Sequence, residues 1–250
     1  MTTLLSVDAV TRRFGGLVAV NNVSIDLRLG EVHAVIGTNG AGKSTLINML
    51  SGEIGASSGR ITLDGQDITR RAQHRRARAG IGRSYQRTTI FPEFTVLENC
   101  RLAAQAATPR PWAIWQASHD CAASNAAAHG ALAAAGLDDV AQRIAGTLSH
   151  GAKRQLEVAM CLATNPRVLL LDEPLAGMGA EETERMLALL ASLKATHAIL
   201  LVEHDMDAVF TLADKLTVMV NGQVIASGTP PQVRADAAVQ SAYLGEEAHG

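Results

Sequence analysis

The densest chemistry in the chain lies between Gly37 and Thr45, which read GTNGAGKST. This is a full match to G-x-x-x-x-G-K-[ST], the loop that wraps nucleotide phosphates. Gly37, Gly40 and Gly42 let the backbone turn tightly and bring its N–H groups to anionic oxygens. Thr38, Asn39, Ala41 and Thr45 complete the nucleotide-binding set around them. Lys43 supplies a mobile charge for the β- and γ-phosphates, and Ser44 a hydroxyl for Mg²⁺. EVHAVI before the loop reads as a short apolar strand, and TLINMLSG after it as a helix whose positive end faces the phosphates.

Other residue types fit the same chemistry. VLLLDEP is an apolar strand closing on Asp172 and Glu173. Desolvating two carboxylates costs several kcal/mol unless a cation compensates. An Asp at a strand tip can therefore hold Mg²⁺, and the adjacent Glu can polarise an attacking water. Gln86 ends one expected strand and His204 another, both placed to reach the γ-phosphate side. Phe14 precedes the pair Gly15–Gly16 in a chain with only 3% aromatic residues. It can be a strand-end core residue or a stacking platform for adenine; the downstream loop favours stacking.

The elements that must position these residues follow from pattern. In residues 4–29, Val23, Ile25, Leu27 and Leu29 fall at period two, predicting two antiparallel strands joined at Gly15–Gly16. GRITLDGQDIT predicts a hairpin turning at Asp64–Gly65. RRAQHRRARAG reads as a solvated short helix rather than a nucleic-acid patch. IGRSYQR reads as a strand. Thr95 and Glu98 form a capping box opening an Ala-rich helical region over 95–148, interrupted by Pro109 and Pro111 and stopped by Gly136. Trp112 and Trp115, in its least regular part, are expected to pack one helix on another, anchoring a partner being the alternative. Ser149 is an N-cap, HAILLVEHD another buried strand, and KLTVMV and QVIASG a final hairpin around Asn221–Gly222. Helices alternating with continuous apolar strands predict an α/β fold with a mostly parallel sheet covered on both faces.

Composition excludes several classes. The 250 residues carry a formal net charge of −2, which argues against bulk nucleic-acid binding. No run of eighteen apolar residues exists, so a membrane span is not expected. The first residues lack a signal-peptide pattern. Cys100, Cys121 and Cys161 are far apart and read as small core or helix residues in a reducing cytoplasm.

In order along the chain, these motifs resemble the ATP-binding subunit of ABC transporters over nearly its full length. LSHGA, Leu148 to Ala152, stands where that family has its signature LSGGQ. Gln86 matches the Q-loop glutamine, Asp172–Glu173 the Walker B pair, His204 the switch histidine and Phe14 the adenine-stacking aromatic. RFGGLVAVNNVS, FPEFTVLEN, LVEHDMDAVF and VRADAAVQSAYLGEE resemble the branched-chain amino acid importers within it. Thr38 replaces the usual Pro, Ala152 the signature Gln, and Gly179 a common Asn in the loop after Walker B. These departures bear on coupling between subunits rather than on nucleotide binding.

The resemblance implies the ABC ATPase fold, a P-loop core with an N-terminal antiparallel β-subdomain and an inserted helical subdomain. The expected boundaries are 1–90 and 160–229 for the core, 91–159 for the helical part and 230–250 for a tail. It implies ATP and Mg²⁺, with Ser44, Gln86 and Asp172 toward the metal, Glu173 as base, and Lys43 and His204 toward the γ-phosphate. Ser149, His150 and Gly151 would face the ATP of a second ATPase subunit, identical or paralogous. Membrane permeases and, indirectly, an external solute-binding protein are the other implied partners, at the cytoplasmic face of the inner membrane. Two alternatives remain: a lipid or lipopolysaccharide exporter ATPase, and a poorly hydrolysing structural half of a heterodimeric pair.

Overall fold

Val168 to Leu171 are fully buried, and their alternation sorts them between two cores. Leu169 and Leu171 face one cluster, Val168 and Leu170 the other. A strand buried on both faces belongs to the middle of a covered sheet, as the unbroken apolar run predicts. The computed structural model describes residues 2–86, 89–107 and 121–241. Pro109, Pro111, Trp112, Trp115 and the tail from 242 lie outside the described residues.

The chain opens with β1 (Thr3–Phe14) and β2 (Leu17–Arg28), paired antiparallel across Gly15–Gly16. Strands β4 (Ser58–Leu63) and β5 (Gln66–Asp67) extend this sheet in the order β2-β1-β4-β5. Between them come β3 (Val32–Gly37) and helix α1 (Lys43–Ser51). Helix α2 (Gln73–Arg78) leads to β6 (Ile81–Arg83). Helices α3 (Val96–Ala107), α4 (Ala122–Ala135) and α5 (His150–Ala163) pack on one another. Then follow β7 (Val168–Asp172), α6 (Ala180–Leu193), β8 (Ala198–Val202), α7 (Met206–Leu212), β9 (Lys215–Val220), β10 (Gln223–Gly228) and α8 (Pro230–Arg234). The second sheet has the order β10-β9-β3-β8-β7-β6, parallel throughout except for β10 on β9. Its helices and the first sheet cover both faces.

Local signals account for most element ends. Thr95 and Glu98 form the expected reciprocal cap: Glu98 accepts the Thr95 N–H at 2.8 Å, and Thr95 Oγ1 the Glu98 N–H at 3.1 Å. Ser149 Oγ caps α5 by accepting the Ala152 N–H at 3.2 Å. Two expectations need correction. Leu29 is 38% exposed, because β2 ends at Arg28 and the chain turns through Gly30. Strand β6 stops at Arg83, so Gln86 lies in the loop beyond it. Helix α5 runs unbroken from His150 to Ala163.

The arginine run also differs from a wholly solvated helix. Arg76 is 1% exposed, and its guanidinium donates to the carbonyls of Met49, Leu50, Thr69 and Arg71 at 2.8–2.9 Å. Those carbonyls include the last turn of α1, so a buried cation satisfies the negative end of the phosphate-loop helix. Among the described residues, no helix is long and apolar enough to cross a membrane. Cys100 and Cys161 are buried thiols, pushed up to about 12 by loss of solvent.

Candidate functional site

Strand β3 delivers the glycine-rich loop at its carboxyl end. Gly37 has φ of 154°, and a Cβ built on it would lie 2.1 Å from the Met219 carbonyl oxygen. Gly42, the N-cap of α1 at φ 96°, would place a Cβ 2.3 Å from the Ala19 carbonyl oxygen. Neighbouring strands β9 and β2 thus close around the loop so tightly that only glycine fits. Lys43 is buried in the first turn of α1, and its Nζ donates to the Gly37 and Thr38 carbonyls at 2.6 and 3.0 Å. Ser44 and the backbone of Asn39 and Gly40 lie at the solvent side, Ala41 and Thr45 deeper.

Two strands away in the sheet, β7 ends on Asp172. Its carboxylate lies 3.8 Å from the Arg83 guanidinium, and burial raises its pKa, with Arg83 opposing the rise. One carboxylate oxygen, Oδ1, is buried without a hydrogen-bond partner. An orphaned buried acceptor is costly, and a divalent cation or its bound water is what such an oxygen fits. With the glycine-lined loop, Lys43 and Ser44, the residues present fit Mg²⁺ and a triphosphate. Glu173 follows with φ of 50°, a left-handed conformation rare for its type. Gln86 Nε2 donates to Glu173 Oε2 at 3.0 Å, so Gln86 and the expected base meet.

Beyond β8, Glu203 is 1% exposed and accepts N–H groups from Leu175 and His204 at 2.9 and 3.2 Å. Burial raises its pKa. It therefore pins the loop after Asp172–Glu173 to the loop carrying His204, whose own side chain is 65% exposed. Phe14 is exposed at the end of β1, with the Arg12 guanidinium 4.5 Å from its ring centroid.

A family model described as "ABC transporter" matches residues 20–176, and a second, "Branched-chain amino acid ATP-binding cassette transporter", matches 223–249. The chain belongs to the ABC transporter ATPases. The high-affinity branched-chain amino acid transport ATP-binding protein BraF of Pseudomonas aeruginosa is 40% identical, over 97% of this chain and 98% of the relative. LivG of Escherichia coli K12, described in the same words, is also 40% identical over the same shares. A solved nucleotide-free ATP-binding cassette from an ABC transporter matches with a TM-score of 0.87 at 31% identity, covering 97% of this chain and 99% of that one.

In this ABC ATPase the segment expected to be the signature opens α5, whereas the phosphate loop opens α1. Ser149 and His150 are exposed at the start of α5, and the His150 ring packs on Gly177 in the loop after Asp172–Glu173. The amides there are not free. Ser149 Oγ donates to Glu182 Oε1 at 2.9 Å, and the Gly151 N–H to the same oxygen at 3.1 Å. The Ser149 hydrogen bond leads in holding the Glu182 carboxyl below its usual range. Glu182, Arg83, Glu203, Arg154 and Glu157 escape a reading of the sequence because each also meets a group at least 28 positions away. Two local signals exist: Glu182 is an acid in the first turn of α6, and Arg154 and Glu157 are an i,i+3 charge pair on α5.

Proposed function

We propose that this chain is the ATP-hydrolysing subunit of an importer for branched-chain or similar amino acids, working with a second ATPase subunit and membrane permeases at the cytoplasmic face. The observation that carries the chemistry is the meeting of Gln86 and Glu173 at 3.0 Å beside the Asp172 strand end. The solute class rests on the relatives' names and the match over 223–249.

Lys43, the loop amides and the N-terminus of α1 hold the triphosphate and concentrate positive charge on it. Ser44, Asp172 and Gln86 would hold Mg²⁺, which supplies charge neutralisation on the β- and γ-phosphate oxygens when bound. Glu173 takes the proton of the attacking water, and the Gln86 carboxamide orients its carboxylate. His204, exposed and steered by Glu203, reaches toward the same side. Phe14 offers its ring to adenine. Ser149, His150 and Gly151 face the nucleotide held by the other subunit, so two chains are needed for two complete sites.

The test is reconstitution with the permeases and solute-binding protein in proteoliposomes. Leucine-stimulated Mg-ATP turnover with uptake of labelled leucine is the expected result. Turnover that responds to lipid and not to amino acids would move the chain to the exporter reading.

A further inference from the structure

Gln86 touches Glu173 with its side chain, but a different element holds its backbone. Arg154, 7% exposed, lies in the second turn of α5. Its Nη2 donates to the Gln86 carbonyl at 2.7 Å, and its Nη1 to the Tyr85 carbonyl at 3.1 Å and to Glu157 Oε2 at 2.9 Å. Glu157, 4% exposed, uses its other oxygen to accept the Thr89 N–H at 2.8 Å. Two side chains on one face of α5 therefore hold the chain on both sides of residues 87–88. The helix they stand on is the one that begins at Ser149.

We propose that Arg154 and Glu157 are positioning residues that fasten the Gln86 backbone to the signature helix, so that the Gln86 carboxamide meets Glu173 only while α5 holds its place. This rests on the reading of Gln86 and Glu173 given above. The planar guanidinium suits the task, since one rigid fork reaches two carbonyls and a carboxylate at once. Lysine presents a single charge on a flexible stem and cannot span all three. These backbone contacts offset part of the cost of burying the pair, and removing one partner leaves the other charge uncompensated. A helix of this kind rises about 1.5 Å per residue. Ser149 and Arg154 thus belong to one rigid rod only about 8 Å apart along its axis, and a shift at the signature end is delivered to Gln86.

Arg154→Lys and Glu157→Gln in the full-length chain test the proposal, each alone and combined with Gln86→Ala. The readouts are kcat and KM for Mg-ATP, and amide hydrogen exchange at Thr89 without nucleotide. Arg154→Lys is expected to lower kcat about tenfold with KM changed less than about twofold, and to speed Thr89 exchange about tenfold. In the Gln86→Ala background it should lower kcat no further, because its effect passes through Gln86. Losses that multiply in the double variant, or unchanged exchange and kcat, would overturn the assignment. Glu157→Gln keeps the side-chain shape and gives the same comparison should Arg154→Lys fail to fold. A wild-type chain that turns over no Mg-ATP would sink the functional reading instead, while faster Thr89 exchange in the variants would still establish the fastening.

Discussion

The phosphate loop and the start of α5, the proposed signature helix, are both helix N-termini, yet they are built in opposite ways. The loop is enclosed: carbonyls of Met219 and Ala19 press on Gly37 and Gly42, and Lys43 is buried against the loop's own carbonyls. The start of α5 is exposed at Ser149 and His150, and one surface carboxylate, Glu182, occupies its amide and hydroxyl. A site that keeps its ligand through a cycle gains from a cradle fixed before binding. A contact that must form and break each cycle needs groups that can exchange partners. The first end is fixed by packing and the second by a replaceable hydrogen bond.

The largest way to break the enclosed half is at its chemistry. Glu173→Gln should lower ATP turnover about 10³-fold and leave Mg-ATP affinity by calorimetry unchanged, whereas Lys43→Ala should abolish detectable binding. Equal loss of binding in both would mean that Glu173 acts in holding nucleotide rather than in activating water.

Acid should strain the same half from beneath. His33, on the strand that carries the loop, is fully buried, with Nδ1 against the Asp26 carbonyl at 3.1 Å and Nε2 against Thr217 Oγ1 at 2.8 Å. The neutral ring that donates from Nδ1 and accepts at Nε2 satisfies both. Burial pulls its pKa down to about 4 from 6.5, with the Lys215 charge adding to the effect. Below pH 6.5 the unfolded chain binds the proton first, so stability present above that pH is lost as pH falls toward 4. The loss approaches about 3 kcal/mol. Urea melts of wild type and His33→Gln should diverge by that amount between pH 7.5 and 4. Parallel curves would remove His33 from the pH dependence.

Gly37→Ala attacks the fit itself. A methyl group directed at the Met219 carbonyl must push β3 and β9 apart, at a cost of about 2 kcal/mol and with loss of ATP binding. Chemical denaturation and calorimetry on one preparation check both. Unchanged stability would mean that the strands yield freely.

How far these two halves could be foreseen differs for the same reason. The phosphate loop, the Asp172–Glu173 strand end, the Thr95–Glu98 box and the Ser149 cap are written within a few neighbouring residues, so their chemistry shows in a linear reading. The parallel sheet was legible from the apolar runs around Val168–Leu171 and Ala198–Val202. Arg76 was not, because nothing local separates the one buried arginine of α2 from its solvated neighbours. Neither was the grip of Arg154 and Glu157 on residues 85–89, where donors and acceptors are 68 or 69 positions apart. The carboxylate on Ser149 and Gly151 is hidden for a similar reason: Glu182 comes from a helix that sequence spacing does not bring near.

Glu182→Gln makes the smallest predicted change and bears most directly on the contrast. The carboxylate sits where the other subunit's γ-phosphate would approach in the proposed two-chain assembly, and two anions cannot share those donors without repulsion. An amide in its place keeps the shape of the side chain and weakens the hold on Ser149 and Gly151. In a Glu173→Gln background, where bound ATP persists, the added change should lower the ATP concentration that drives two chains together by roughly threefold. Sedimentation across an ATP titration reads that midpoint. A shift to higher ATP instead would mean that Glu182 shapes the start of α5 for its partner and does not compete with it. The exposed half would then be preorganised as the enclosed half is, by an acid in place of packed strands.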